Sequence, residues 1–466
     1  MNESMRSLAF TRSFGPKMTG GIGMVLAACG NAGANEAPVP SPASSPIDGG
    51  VGAVQDAGFL DGSPVAALDA SAPALAPTVT THVITTTHRA IPGVMFGGWG
   101  PHLGHLVRRP NGELWFVDDA CDAKGASVCD VNVNRRLDAF RLTATGWEKR
   151  ASVALPAGVQ QNTGTIVTAD GFAMYGIDTV ASRPVECTLV PTTLASSCTT
   201  VPIALPKSTN YVGAAIAPSG TKMVWATTVA EGGGSFHWMA NYGGGWNGPR
   251  SGPVGGYNDA SYINVAFYGG ARKNEVALHA QLVSGLAPNW SFFGAVGSVD
   301  TTTSDPVSFA VLAAAPVADP IESTNDVLVD ETTNDTHVLA RTKSGAAAYF
   351  FRPDGGAWSA ALAVIPASYR ARLVHLADGR IVLVRSRNGA GLALRISAPM
   401  TRSAGHPIDW PLLPDLPVAL PAGYANLYAI YTESASYART APPTLDVALV
   451  ADAHENEVLH VHFELH

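Results

Sequence analysis

From about residue 104 onward, short runs of Val, Leu, Ile, Ala and aromatic residues alternate with polar breaks that carry Gly, Asn, Asp or Pro. Runs of this length with period-two alternation predict β-strands, since successive side chains of a strand point to opposite faces. Leu106-Val107-Arg108-Arg109-Pro110-Asn111-Gly112-Glu113-Leu114-Trp115-Phe116-Val117 reads as strand, tight turn, strand. The same shape recurs at Asp170-Gly171, Ser219-Gly220 and Asp378-Gly379, with looser versions at Gly269-Gly270 and Asn334-Asp335. Asn-Gly and Asp-Gly between apolar runs signal hairpins because both residues tolerate the positive φ of such turns.

Each hairpin is followed by a third apolar run, as at residues 236–242, 290–296, 347–353 and 392–399. A fourth follows, opened in several cases by a turn bearing Trp147, Trp246 or Trp358. Fourth runs end in an aliphatic residue and proline at Leu155-Pro156, Leu205-Pro206, Ile365-Pro366 and Leu420-Pro421. Proline suits an outer edge strand, where its missing N–H breaks no ladder bond. Two of these endings, Val153 to Gly158 and Val418 to Gly423, are identical, reading VALPAG.

First strands fall near residues 104, 164, 212, 263, 326, 372 and 427, a repeat of about 46 to 63 residues that is four strands plus loops. This predicts an all-β, seven-bladed β-propeller, within a range of six to eight blades. The last blade lacks a fourth strand, and residues 81–92, THVITTTHRAIP, carry the same Ile-Pro ending just ahead of the first blade. The N-terminal strand is therefore expected to complete the last blade and close the ring, which removes exposed edges. The competing architecture is a string of two or three β-sandwiches, which lacks the four-strand unit and the terminal match.

Composition agrees with an all-β chain. There are 48 Gly and 33 Pro, 46% hydrophobic and only 14% charged residues, a balance of many turns and few helices. A formal net charge of −8 with no clustered basic surface in the sequence argues against a nucleic-acid partner.

The first residues read differently. Arg6, Arg12 and Lys17 precede an apolar stretch from Met18 to Ala28, which ends in Leu26-Ala27-Ala28-Cys29-Gly30. This resembles the lipobox of bacterial lipoproteins, and the resemblance implies cleavage before Cys29 and a diacylglycerol on its thiol. Residues 1–28 are then a signal peptide, and the chain is exported to the outer membrane or cell surface rather than left at the inner membrane. Residues 29–78 are rich in Ala, Pro, Ser and Gly, without Lys or Arg, too poor in apolar surface to offset ordering entropy, and are expected to be a tether. Residues 79–466 form the propeller. The expected partners are the bilayer, through the acylated terminus, and a glycan or protein ligand.

Five cysteines add one constraint. Cys121 with Cys129 and Cys187 with Cys198 are near pairs, and Cys29 is left over for lipid. Two local disulfides fit an oxidising compartment and stabilise by about 2 to 3 kcal/mol each. Neither pair has the C-x-x-C spacing of a metal site.

Residues entering the first strands form one mouth of a propeller channel. They are His102, His105, Asn162, Asn210, Tyr211, Asn258, Asp259, Glu322, Asn325, Tyr369, Arg370, Tyr424 and Asn426. Amides, charges and rings arriving from every blade suit a sugar or polar peptide, because they offer hydrogen bonds and stacking faces together. Asp354-Gly355-Gly356-Ala357-Trp358 resembles the Asp-box Ser-x-Asp-x-Gly-x-Thr-Trp of sialidases, one residue short, and implies a related blade construction. No catalytic residue follows from it. His460 and His462 share a strand face at a spacing a metal could use, but no third ligand is identifiable and no cofactor or metal is expected. P-loop, Rossmann and G-x-S-x-G patterns are absent. The sequence thus favours a non-enzymatic binding platform, with a carbohydrate-active enzyme and an envelope scaffold as the alternatives.

Overall fold

In the computed structural model, residues 77–86, 105–121, 135–178, 180–206, 209–217, 220–228, 236–241, 245–252, 260–272, 275–282, 291–298, 310–315, 321–330, 333–397, 404–433, 444–454 and 456–465 are described. All lie in the compact unit Ala72–His466.

Strand β1 (Thr78–Thr85) comes first. Then come β2 (Leu106–Arg108), β3 (Leu114–Cys121), β4 (Arg135–Thr143) and β5 (Gly146–Ala154), which pair in that order into one sheet. The second sheet is β6 (Val159–Val167), β7 (Phe172–Asp178), β8 (Arg183–Val190) and β9 (Ala195–Thr200). The third is β10 (Thr209–Ile216), β11 (Lys222–Thr228), β12 (Phe236–Asn241) and β13 (Trp246–Gly252). The fourth is β14 (Ala260–Phe267), β15 (Glu275–Leu282), β16 (Ser291–Ser298) and β17 (Ala310–Ala315). The fifth is β18 (Ile321–Val329), β19 (Thr336–Thr342), β20 (Ala347–Arg352) and β21 (Ala363–Ile365). The sixth is β22 (Ala371–His375), β23 (Ile381–Arg387), β24 (Gly391–Ile396) and β25 (Leu416–Val418). Strands β26 (Leu427–Thr432), β27 (Thr444–Ala451) and β28 (Val458–Glu464) complete the chain, and their sheet takes β1 as its fourth member in the order β1-β28-β27-β26. The fold is an all-β propeller.

Turn chemistry explains the first hairpins. Gly112, Gly220 and Gly379 have φ of 86°, 86° and 83°, the left-handed region that an L side chain rarely enters. They reverse the chain between β2 and β3, β10 and β11, and β22 and β23. The VALPAG repeat has the same consequence in both copies: Gly158 and Gly423 have φ of 90° and 92° and turn the chain into β6 and β26.

Sheets pack face to face through their apolar sides. Val107, Trp115 and Leu137 of the first sheet meet Val159, Phe172 and Met174 of the second. Val382, Val384 and Leu394 of the sixth meet Leu445, Val447 and Phe463 of the seventh. A further cluster joins Ile84, Ala429, Tyr431 and Val450 of the seventh sheet to Leu106, Leu114 and Phe116 of the first. The edge strands β26 and β2 also meet in a parallel bridge, Leu106 to Glu433. The register of β1 on β28 runs from Thr78 opposite Glu464 to Thr85 opposite Val458, so the expected N-terminal strand lies where the repeat places it, with residues 87–92 of that segment outside the described residues.

Cys187 and Cys198 face each other across β8 and β9 and form a disulfide. Cys29, Cys129 and the side chain of Cys121 lie outside the described residues. So do the predicted signal peptide and residues 29–76 of the tether.

Candidate functional site

The first strand of each sheet has one edge in the ladder and one facing the propeller axis, where its N–H and C=O groups need other partners. Across three consecutive sheets, side chains supply them. Asp326 on β18 accepts from the backbone N–H of Leu373 on β22 at 2.7 Å and from Val327 N–H at 2.9 Å. Arg372 Nε donates to the carbonyl of Ile430 on β26 at 3.2 Å, and Arg370 Nε donates to the carbonyl of Tyr428 at 3.0 Å. Charged residues within apolar strands thus bind one first strand to the next.

Burial works against ionisation of Asp326 and pushes its carboxyl up to about 6, while Arg372 and the two N–H donors pull the other way. Burial likewise works against the charge of Arg372, opposed by Asp326.

At the end where first strands begin, Arg370 lies against a tyrosine ring. Tyr369 lies two residues ahead of β22, and its ring centroid lies 4.6 Å from the guanidinium carbon of Arg370 and 4.3 Å from that of Arg341. Arg341 belongs to β19 and pairs with Ser323 on β18, so antiparallel pairing brings the far end of β19 to the start of β18. Tyr369 is 40% and Tyr428 37% exposed, whereas Arg341 and Arg370 are buried. Burial lowers the Arg370 pKa to about 10, with Arg341 and Arg372 repelling its charge and the phenols of Tyr369 and Tyr428 supporting it. Two buried guanidiniums thus lie against the ring of the exposed Tyr369, and Arg370 also holds the carbonyl of the exposed Tyr428.

Five of the seven first strands change register with the second strand near their start, at Asn162/Thr165, Asn210/Gly213, Ser261/Asn264, Thr324/Asp326 and Leu427/Ala429. Bulges of this kind re-aim side chains and gather at rims and binding sites.

The predicted mouth residues separate into three groups. His102, Asn258 and Asp259 lie outside the described residues. Asn162 on β6, Asn210 and Tyr211 on β10, and Glu322 and Asn325 on β18 have their backbones toward the starts of first strands, each bounding or inside a register shift; their side chains are outside the described residues. His105, Tyr369, Arg370, Tyr424 and Asn426 are described fully.

Of these five, Tyr369 and Arg370 come together. His105 is buried between the first and last sheets, with its Nδ1 2.5 Å from the Val117 carbonyl and its ring against Phe116 and Tyr431. Tyr424 is buried too. Its ring stacks on His454 at 5.0 Å and its hydroxyl donates to Glu457 at 2.7 Å, an arrangement in which burial and the carboxylate both raise the phenol pKa. Asn426 accepts from the Gly389 backbone N–H at 3.0 Å. Both residues hold the approach to β26.

Arg341, Arg372 and Tyr428 are absent from the sequence-derived set. An arginine inside an otherwise apolar strand, as in THVLART and ARLVH, is the signal that points to Arg341 and Arg372.

The C-terminal histidines have a different role. Asp446 Oδ1 lies 2.7 Å from His460 Nε2 and 2.8 Å from His462 Nδ1. Asp335 accepts from the backbone N–H groups of Asp354 and Gly405. Among the described residues there is no group of three or more His, Cys, Asp or Glu suited to a metal ion.

No protein-family model matches the chain, and no curated protein matches it in sequence. Solved structures resemble it in fold. Catalytically inactive virginiamycin B lyase from Staphylococcus aureus with quinupristin has 11% identity and a TM-score of 0.45, covering 82% of this chain and 99% of that one. Polysaccharide lyase Uly1 has 11% identity and a TM-score of 0.49, covering 82% and 92%. The Aleuria aurantia lectin in complex with α-methyl-L-fucoside has 13% identity and a TM-score of 0.41, covering 68% and 96%. These similarities carry no inference about ligand or chemistry, because one fold hosts many functions.

Proposed function

We propose that the protein is a lipid-anchored cell-envelope protein whose seven sheets are the blades of one closed ring, used as a non-catalytic binding platform for a glycan or protein partner. The blade count rests on the cyclic order of neighbours. First strands meet in the order β2, β6, β10, β14, β18, β22, β26 and again β2. The lipid anchor rests on the lipobox at Leu26 to Gly30, with the acyl chains of Cys29 in the outer membrane or cell surface.

The observation that carries the binding reading is the exposed Tyr369 ring against the buried Arg341 and Arg370, beside the exposed Tyr428, whose carbonyl holds Arg370. Phenols exposed beside ordered cation donors offer both apolar contact and hydrogen bonds to a polar ligand. Arg370, already held by the Tyr428 carbonyl, loses little further entropy on binding.

A glycan array and a pull-down with the purified full chain test this reading. Retention of a ligand by the native protein and its loss in Tyr369→Ala with Tyr428→Ala are expected. Depolymerisation of a polysaccharide that depends on Glu322 or Asp259 overturns it in favour of an enzyme.

A further inference from the structure

The outer rim of the fifth and sixth sheets lacks the charge that usually guards an edge strand. In the first sheet the outermost strand, β5, exposes Glu148, Lys149 and Arg150. Residues 355–367, which contain β21, hold no charged residue, and Leu362 and Val364 are 45% and 55% exposed. Residues 410–423, which contain β25, carry one charge, Asp415, and Arg385 and Arg395 hold it. Asp409, just ahead of that stretch, is exposed. Leu412 is 79% exposed. It ends a short 3₁₀ turn, Trp410–Leu412, whose Trp410 is wholly buried with Ile365 and Ile408 and whose Trp410 carbonyl accepts from Arg395 at 2.7 Å. The turn lies against β21, so the exposed leucine stands on a fixed base. Pro366, directly after β21, and Pro417, within β25, lack the N–H that an added strand would use. The rim therefore offers apolar side chains and little backbone for a protein strand.

Strand order fixes where the N-terminal segment arrives. β1 is antiparallel to β28, with Thr78 opposite Glu464, which puts Thr78 at the end of the seventh sheet away from the mouth. In the sixth sheet the connection from β24 to β25, with Leu412 in it, lies at that same end. Val79 packs on the core cluster shared by the sixth and seventh sheets, and so do Leu416 and Leu420. The chain thus enters the domain beside the apolar rim.

From these two observations we infer that the rim around Leu362, Val364 and Leu412 rests on the lipid bilayer, with the mouth turned away from it. The inference rests on the lipid anchor of the proposed function and adds the orientation of the domain to it. An uncharged aliphatic surface matches the boundary between headgroups and acyl chains. A tether from Cys29 holds the domain near the bilayer at millimolar effective concentration, so a contact too weak to retain a free protein suffices.

The test uses the full-length acylated chain on phosphatidylcholine vesicles, with a nitroxide attached at Leu412→Cys or, as the control at the mouth end, at Asn456→Cys in the exposed turn between β27 and β28. Labelling of the unsubstituted chain is subtracted. On vesicles the label at 412 becomes several-fold more accessible to dissolved oxygen than to a water-soluble nickel chelate, while the label at 456 stays in water. Leu362→Asp with Val364→Asp returns the label at 412 to water and leaves flotation of the protein with the vesicles unchanged. A label at 412 that is equally open to the chelate on and off vesicles overturns the docking and leaves the anchor standing. A label already shielded without vesicles shows that the tether or a second copy covers the rim, and overturns the bilayer as its partner. If the native chain floats no better than Cys29→Ser, the anchor and the docking fall together.

Discussion

Arg108 on β2 and Glu433 at the end of β26 form a two-pronged ion pair, Nε and a terminal nitrogen each 2.8 Å from a carboxylate oxygen. The same guanidinium reaches Asp446 on β27. The two residues are 325 positions apart in sequence, and their pairing joins the first sheet to the last. Removing one partner of a largely buried pair leaves the other charges uncompensated. Arg108→Ala is expected to lower stability by about 2 to 3 kcal/mol, read as a lower urea midpoint. Arg108→Lys recovers only part of it, since an ammonium lacks the fork. An unchanged midpoint in both variants refutes a closing role for the pair.

The Asp446 cluster gives the seam a pH signature. Burial opposes ionisation of Asp446, but His460, His462 and Arg108 together hold its carboxyl well below the usual range. The bond to Asp446 raises the His462 pKa against the effect of burial, with Glu464 adding to it and Arg108 opposing. A depressed carboxyl contributes stability that is present above its unfolded pKa of about 4 and is lost as pH falls through the folded value. A raised histidine contributes stability that is present below its unfolded pKa of about 6.5 and is lost as pH rises through the folded value. The difference in stability between native protein and Asp446→Asn is therefore largest between about pH 4 and 6.5. Denaturation midpoints of both proteins across pH 2 to 9 check this, and a difference that does not vary with pH contradicts it.

The two VALPAG glycines separate conformational strain from steric conflict. Both have positive φ, so an alanine is strained at either site. At Gly423 an added Cβ would lie 2.2 Å from His454 Nε2, whose ring stacks on Tyr424, while at Gly158 it would meet the Asp178 carboxylate at 3.1 Å. Gly112→Ala, with open space around it, reports strain alone. Thermal denaturation is expected to rank Gly423→Ala as the most damaging, Gly158→Ala next and Gly112→Ala least, with costs of about 1 to 3 kcal/mol.

Much of the architecture was legible because it is written locally. Asn111-Gly112 and Asp378-Gly379 announce their turns through the φ their glycines must take, and the strand alternation around them is set by neighbours in sequence. The partnering of β1 with β28 was legible through a different signal, the unmatched fourth strand at one end and the Ile-Pro ending at the other. The site was less so. Tyr369 and Arg370 stand out at a strand entry, but Arg341 lies on another sheet, and its approach to Tyr369 depends on how β19 and β22 pack. Tyr424 and His105 carried the same sequence signal as Tyr369, yet they are buried against His454 and Tyr431. Residue type and strand position alone do not distinguish a ring that faces solvent from one that fills a seam.

Removal of β1 tests the closure most directly. This strand covers β28, whose Leu459, Val461 and Phe463 are buried in the core shared with the sixth sheet. Ile84 fills the cluster between the last and first sheets, and His82 stacks beside His460. A chain lacking residues 78–85 exposes the outer edge of β28 and opens a cavity at Ile84. Deleting a buried isoleucine side chain alone costs about 2 to 5 kcal/mol, and an uncovered strand edge is a template for association. The truncated protein is expected to unfold at a lower temperature and to form higher-order species in size-exclusion chromatography with light scattering. Ile84→Ala in the full-length chain separates the two effects: it lowers the unfolding temperature but keeps the edge covered, so it stays in the same oligomeric state as the native protein. If the truncated chain matches the native protein in both measurements, β1 does not close the sheet.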